Sequence, residues 1–442
     1  MSLKFYFDIF SQPSRAVLLF LKLNKIPFEP KKINLLRGEH YSEEYATINP
    51  FQKVPAVVHG NFALSESVAI LRYLCREFEV ADHWYPKDSK AQARVDEYLE
   101  WQHIEIRANL VNYFRTKFLL PVVTGRPADV KKVAQYEKKV TDVLNILEDT
   151  WLSERKYLGG DKVSIADLLG ACELEHLKMA GYNPQDNRPK VSAWLNKLKE
   201  ELNPHYEEVH VLVNHIAEKH KGVPPSSPDK LSSICDLLTA ISATPNFVGE
   251  QFSEEFAKLN PMKKVPVIKD GEFTLTESVG ILRYLCREKN VPDHWYPADS
   301  KKQARVDEYL EWQHTNTRSN CALYFLNKFM LPGIKGTPPN PETVARRERK
   351  MVETLNEVEE IWLNNKSYLA GDKISIADLL GACEIEQTRM AGYNPCEGRP
   401  KLAAWLERVR HDTLPHYDSV HAIVRKVTEK YGGVAPASFS KL

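Results

Sequence analysis

A long internal repeat constrains this chain more than any other feature. The string ILRYLCRE begins at Ile70 and again at Ile281, ARVDEYLEWQH at Ala93 and Ala304, SIADLLGACE at Ser164 and Ser375, and AGYNP at Ala180 and Ala391, a constant step of 211 positions. That period is far too long for a solenoid unit, so the chain of 442 residues is a duplicated globular protein. The correspondence runs from about Gly38/Gly249 to about Gly222/Gly433 and fails at the start of the second copy. Residues 223–248 stand where a repeat of 12–37 belongs. Their first part, Val223 to Lys230, is rich in Pro and Ser and reads as a linker. Leu231, Ile234, Leu237, Leu238 and Ile241 then follow at helical spacing, which predicts a short amphipathic helix over 231–241.

Each copy divides again. Leu3, Phe5 and Phe7 alternate with Lys4, Tyr6 and Asp8, which predicts a strand. Pro13 opens an apolar segment, Ala16 to Leu23, that reads as a helix, because proline's missing N–H costs nothing in a first turn. Residues 54–58 and 61–64 read as a hairpin around His59-Gly60, with Pro55 expected to interrupt its ladder. A helix is expected from about Ser67 to Glu77. After Trp84-Tyr85-Pro86 the pattern turns wholly helical. Val140, Val143, Leu144, Leu147 and Trp151 share one face, repeated as Met351, Thr354, Leu355, Val358 and Trp362. Ser164 with Asp167, and Ser375 with Asp378, have capping-box spacing, read here as structure rather than chemistry. The fold class expected is α/β plus all-α, duplicated. It divides into an α/β domain over 1–80, a helical domain over 87–222, a linker and substituted segment over 223–248, a partial α/β domain over 249–291 and a second helical domain over 298–433.

Composition excludes several functions. Sixty Lys and Arg against 59 Asp and Glu give a formal net charge of +1, so no basic footprint for nucleic acid or anionic lipid is expected. The seven cysteines are scattered without a C-x-x-C pair, which argues against structural zinc or a dithiol and for reduced thiols in the cytoplasm. No metal site is expected. The opening, Met1 to Asp8, lacks a basic segment followed by an apolar run, so a secretory signal is not expected. No apolar stretch reaches the roughly 18 residues of a membrane span.

Ser11-Gln12-Pro13, Lys53-Val54-Pro55, Glu66-Ser67 and Ser164-Ile165-Ala166-Asp167, in that order, resemble the cytosolic glutathione S-transferases. The run from Asp8 to Arg15, with ADHWYP and ARVDEYLEWQH, is most similar to the theta class. The resemblance implies a thioredoxin-like N-terminal domain that holds glutathione, a helical domain that takes the electrophile, dimers, and a role in detoxification. It implies no cofactor beyond glutathione as co-substrate. It points to Ser11 as the donor that holds the glutathione sulfur as thiolate, against the plainer reading of Ser11 as a helix cap. It places Glu66 and Ser67 at the γ-glutamyl end, Lys53 and His40 at the glycyl carboxylate, and the Val54 main chain, before an expected cis Val54–Pro55 peptide, at the cysteinyl part. It places Arg107 beside the sulfur or a departing anion; the plainer reading is an ion pair with Glu100 or Glu105. Tyr113, Phe114 and Phe118 are candidates for the electrophile pocket, or for ordinary core. The partners implied are glutathione and a small hydrophobic electrophile, with a homodimer or an internal pseudo-dimer as the assembly and no nucleic acid or membrane. Copy two keeps Lys264, Val265, Pro266, Glu277, Ser278 and Arg318, but Gln251 replaces His40 and Gly222 falls at the place of Ser11, so copy two is expected to be inactive. Conjugation is the expected activity, with glutathione-dependent peroxidase activity beside it. A non-catalytic binding or assembly module is the alternative.

Overall fold

The structure, a computed structural model, describes residues 2–224, 253–289 and 291–436. The helix expected over 231–241 and most of the linker lie outside them. The described residues fall into two compact units. Residues 2–224 and 253–289 form the first, and 291–436 form the second. The two parts of the second copy therefore belong to different units.

The alternation at the N-terminus forms β1 (Leu3–Phe7), with Leu3, Phe5 and Phe7 buried. It is followed by α1 (Gln12–Leu23), β2 (Phe28–Lys32), α2 (Glu43–Ile48), β3 (Ala56–His59), β4 (Phe62–Ser65) and α3 (Ser67–Glu77). The sheet order is β2-β1-β3-β4, with β1 parallel to β2 and antiparallel to β3. Pro55 does not interrupt a ladder. The strand begins one residue later, so the missing N–H falls outside it. The Val54–Pro55 peptide is cis, as is Val265–Pro266.

The register fixes where the chain ends meet. Tyr6 pairs with Ala56, and Ala56 with Ser65, while Phe7 pairs with Lys32. The exits of β1, β2 and β4 and the entry of β3 thus lie at one end of the sheet. Ser11, His40, Val54 and Ser67 all follow or precede these points by a few residues.

The helical part of copy one begins with a nearly continuous run. It comprises α4 (Ser89–Gln102), α5 (Ala108–Phe114) and α6 (Leu120–Thr124), joined by wider π turns at His103–Arg107 and Arg115–Leu119. Then come α7 (Val130–Ile146), α8 (Ile165–His176), α9 (Pro189–Leu202) and α10 (His205–His220). The predicted stripe Val140, Val143, Leu144, Leu147 and Trp151 is buried. Trp151 meets Tyr98 and Trp101 with ring centroids 5.0 and 5.2 Å apart. The capping box at Ser164 is formed. The Asp167 carboxylate accepts from Ser164 N and Oγ, from Leu158 N and from Trp194 Nε1, all within 2.8–2.9 Å. One buried acid thereby ties a helix start, a turn and α9 together, which confirms a structural role.

The described part of copy two opens with α11 (Glu254–Leu259), the hairpin β5 (Val267–Asp270) and β6 (Phe273–Thr276), and α12 (Ser278–Glu288). Its helical part is α13 (Ser300–Gln313), α14 (Thr317–Phe325), α15 (Leu331–Lys335), α16 (Pro341–Glu357), α17 (Ile376–Glu386), α18 (Pro400–Asp412), α19 (His416–Val420) and α20 (Ala422–Tyr431). Met351, Thr354, Leu355, Val358 and Trp362 are buried, as predicted. No helix among the described residues is long and apolar enough to cross a membrane.

Candidate active site

The candidate residues gather around the loop between β1 and α1. Asp8 shapes it. One carboxylate oxygen accepts from Phe10 N at 2.9 Å, and the other from Leu35 N, beyond β2, at 2.8 Å. Ser11 caps α1: Ser14 N–H donates to Ser11 Oγ at 3.4 Å, and Ser11 is 8% exposed. The cap uses the oxygen's lone pair and leaves the hydroxyl proton available to an anion. The capping reading is therefore correct and does not compete with a donor role.

Arg15, one turn into α1, is fully buried and holds the loop from behind. Its Nη1 donates to the carbonyls of Ile9 (3.0 Å) and Phe10 (3.1 Å), and its Nη2 donates to the carbonyl of Cys172 on α8 (3.0 Å). Nη2 also lies 3.4 Å from Nδ1 of His176. Burial, then the neighbouring Arg15 charge, hold His176 well below its ordinary pKa, so a neutral ring faces the guanidinium. Sequence reasoning did not single out Arg15. An arginine directly before the apolar run Ala16 to Leu21, inside the same predicted helix, was the available signal.

On the opposite side, Glu66 joins β4 to α3 with φ +64°, a left-handed conformation that costs a non-glycine residue about 1–3 kcal/mol. The next residue, Ser67, starts an 11-residue helix, and its Oγ is buried with no partner among the described residues. His40 is also buried, and its Nδ1 likewise has no partner among them. Burial lowers the pKa of His40, while Asp8 pulls it upward. The Lys53 carbonyl accepts from Tyr45 OH and Asn49 Nδ2, each at 2.7 Å, which anchors the Lys53-Val54 segment from α2.

Two readings left open by the sequence are narrowed by the structure. Arg107 pairs neither with Glu100 nor with Glu105. Its Nε donates to Glu173 on α8 at 2.7 Å, because the π turn at His103–Arg107 turns it inward. Tyr113, Phe114 and Phe118 are core residues, all at most 2% exposed, with Phe114 and Phe118 stacked on each other. A cavity of about 1250 Å³ opens instead beside Asp8, Ile9 and Phe10, bounded across from them by Leu212, His215 and Ile216 of α10. Those α10 positions carried no motif that sequence reasoning could have used.

Comparison with known proteins identifies the family. The family model "Glutathione S-transferase, N-terminal domain" matches residues 1–76 and 242–287, and "Glutathione S-transferase, C-terminal domain" matches 111–201 and 323–412. Glutathione S-transferase theta-3 of Mus musculus is 41% identical over 226 residues, 51% of this chain and 92% of that protein. Glutathione S-transferase theta-1 of Homo sapiens is 40% identical over 229 residues, 52% of this chain and 94% of that protein. The solved apo form of human glutathione-S-transferase T1-1 covers 52% of this chain and 94% of its own, with 39% identity and a TM-score of 0.48. The chain belongs to the glutathione S-transferase family. Within it, this is a theta-class member in which both domains occur twice.

Proposed function

We propose that copy one is a glutathione transferase that attaches the glutathione thiolate to small electrophiles. The observation that carries this reading is the convergence, at one end of the sheet, of the Ser11 hydroxyl with two buried polar atoms that lack partners among the described residues, Ser67 Oγ and His40 Nδ1. Buried polar groups are ordinarily satisfied, and a tripeptide with two carboxylates, an ammonium and a thiol would satisfy these. The N-terminus of α3 and Ser67 would take the γ-glutamyl carboxylate, with Glu66 at its ammonium. His40 and Lys53 would take the glycyl carboxylate, and the Val54 main chain the cysteinyl part.

The free thiol has a pKa near 8.5, so only a few per cent is ionised at neutral pH. A charge-assisted hydrogen bond from Ser11 contributes about 1.5–3 kcal/mol, and the N-terminus of α1 adds to it, so a depression of about two units is within reach. The thiolate then forms a bond to the electrophilic carbon, and the leaving group departs with the electron pair. Arg107 would steady that departing anion through Nη2, the nitrogen for which the described residues provide no partner. The cavity beside Phe10 suits the electrophile. The same thiolate would cleave the O–O bond of an organic hydroperoxide, giving an alcohol and a sulfenic acid. A second glutathione would convert that acid to disulfide and water. Copy two would not activate a thiol, because Gly222, which has no hydroxyl, falls at the place of Ser11 and because Lys264, the counterpart of Lys53, is paired with Glu105. That copy is where the reading as a scaffold applies.

The ultraviolet absorbance of bound glutathione, followed against pH, tests the proposal. The ionisation midpoint should fall about two units below 8.5 in the native chain and return towards it in Ser11→Ala. That variant should lose turnover roughly 10- to 100-fold while still binding glutathione. A midpoint equal to that of free glutathione would refute the catalytic reading.

A further inference from the structure

Three acids of copy one, Asp96, Glu97 and Glu100, crowd one face of α4, and all three are buried. Buried carboxylates require cations or donors, and removing a partner from such a pair is strongly destabilising. Copy one supplies some of these. Arg72 Nη2 donates to Asp96 Oδ1 at 2.8 Å and to Glu100 Oε1 at 3.0 Å, Tyr85 OH donates to Asp96 Oδ1 at 2.7 Å, and Arg94 pairs with Glu97 at 2.7 Å. The others come from copy two. Arg283, fully buried, donates to Glu100 Oε1, and Arg287 Nη1 donates to Asp96 Oδ2 at 3.2 Å. Thr276 donates twice to Glu97 Oε1, from N at 2.9 Å and from Oγ1 at 2.7 Å.

Apolar contact seals the same face. Ala93 of α4 is buried in a cluster with Leu275, Ile281 and Tyr284 of copy two, and the Arg94 guanidinium lies 4.5 Å from the centroid of Phe273. At Gly280 the α12 backbone passes so near α4 that an added Cβ would touch Glu97 N at 3.6 Å. At the rim Lys264 pairs with Glu105.

We infer that the truncated glutathione domain of copy two is an internal partner subunit: it covers, within the same chain, the acidic face of α4, and so closes that face to a second copy of the protein. This holds whether or not copy one turns glutathione over. Arg283 and Arg287 are the repeat counterparts of Arg72 and Arg76, so duplication itself placed a second set of arginines within reach of the acids. The repeat counterpart of the lysine read as a glutathione ligand serves the contact instead. Residues 225–252 are long enough to connect α10 to α11, since roughly 28 residues extend to about 90 Å or more. A tethered partner of that kind competes at an effective concentration of about 1 mM, well above any micromolar rival in solution. The buried ions fix register and partner choice more than they add stability.

The full chain carrying Glu105→Cys and Lys264→Cys, treated with a short bis-maleimide, tests this, with the parent chain as control for native thiols. The expected product is an internal crosslink at one-chain mass, with a rate unchanged over about a 100-fold dilution. A crosslinked product of two-chain mass that grows with concentration, or no crosslink in the folded chain, would overturn the inference. Arg283→Glu in the same background should slow crosslinking about tenfold or more, and an unchanged rate would remove the ionic contact from the account. Should that variant not fold, Arg287→Glu, at the partly exposed edge of the cluster, gives the same reading.

Discussion

The N-terminal domain of copy one and its remnant in copy two share a hairpin and a strained junction but differ in what precedes them among the described residues. Glu66 has φ +64° and ψ 116°; Glu277 has φ +65° and ψ 117°. Asn49 Nδ2 donates to the Lys53 carbonyl at 2.7 Å, and Asn260 Nδ2 to the Lys264 carbonyl at the same distance. The helices that follow, Ser67–Glu77 and Ser278–Glu288, are equally long. The strained junction and its hairpin are thus specified locally and need no β1, α1 or β2. Among the described residues the remnant has no counterpart of the loop between β1 and α1 or of α1 itself. That helix also has a packing duty. In copy one α1 lies on α8, and Cys172 and Val209 are buried; their counterparts Cys383 and Val420 are exposed, Val420 by 62%.

The comparison would break most visibly at Arg15. The 211-residue step places Ser226, not an arginine, at its position. Arg15→Leu orphans the carbonyls of Ile9, Phe10 and Cys172, each of which accepts from a charged donor. The expected cost is roughly 3 kcal/mol or more, with turnover falling further than glutathione affinity as the loop loosens. Calorimetry should show the loss in the first unit and leave the transition of the second in place. A variant within about 0.5 kcal/mol of the parent would dismiss the clamp. A smaller effect is expected in thiol labelling. Cys383 is open to solvent at its surface, but the dense protein around it, together with Glu384 and Glu386, pushes its thiol up to about 11, and full burial pushes Cys172 up to about 12. Cys383 should label with a rate that climbs about tenfold per pH unit below its pKa, because the thiolate is the reactive form. Cys172 should label at least about tenfold more slowly until Arg15→Leu unseals α1. Equal rates in the native chain would mean that α1 does not cover α8.

Most of the fold was legible because its signals are local. Alternation at Leu3, Phe5 and Phe7, the proline at the start of α1, the capping boxes at Ser164 and Ser375 and the stripe ending at Trp151 each involve residues within a few turns of one another. The same holds for the Glu66-Ser67 junction. What sequence could not supply is contact across the chain. Arg107 finds Glu173 across 66 residues, which no helical spacing could nominate. Arg15 reaches Cys172 across 157 residues, and Arg283 reaches Glu100 across 183. The aromatic residues Tyr113, Phe114 and Phe118 had the helical spacing of both a core and a pocket, and only three-dimensional packing separates the two. The repeat also hid something. It marked the α/β domain of copy two as partial, yet gave no sign that this remnant packs on α4 of copy one.

The finest difference between the copies is one carboxylate. Glu173 accepts from Arg107 Nε at 2.7 Å, whereas its counterpart Glu384 accepts from Thr317 Oγ1 at 3.0 Å. Burial raises the Glu384 pKa to about 7, against the opposing pull of Arg318 and Thr317. A folded-state pKa above the unfolded value means that the folded chain keeps a proton which the unfolded chain releases. The contribution of Glu384 to the second unit's stability should therefore be full below the ordinary carboxylate range, fall as pH rises from about 4.5 to 7, and level off above that, against the opposite slope of the depressed Asp412 and Asp418 at acid pH. Glu384→Gln, which resembles the protonated acid, should flatten this slope and raise the melting temperature at pH 8, by about 2–4 °C for each kcal/mol recovered. The same change at Glu173 should lower stability instead, because it leaves the partly buried Arg107 guanidinium without its anion. If both substitutions shift the melting curves in the same direction, the two carboxylates are in equivalent environments, and the copies differ only in what copy two has lost.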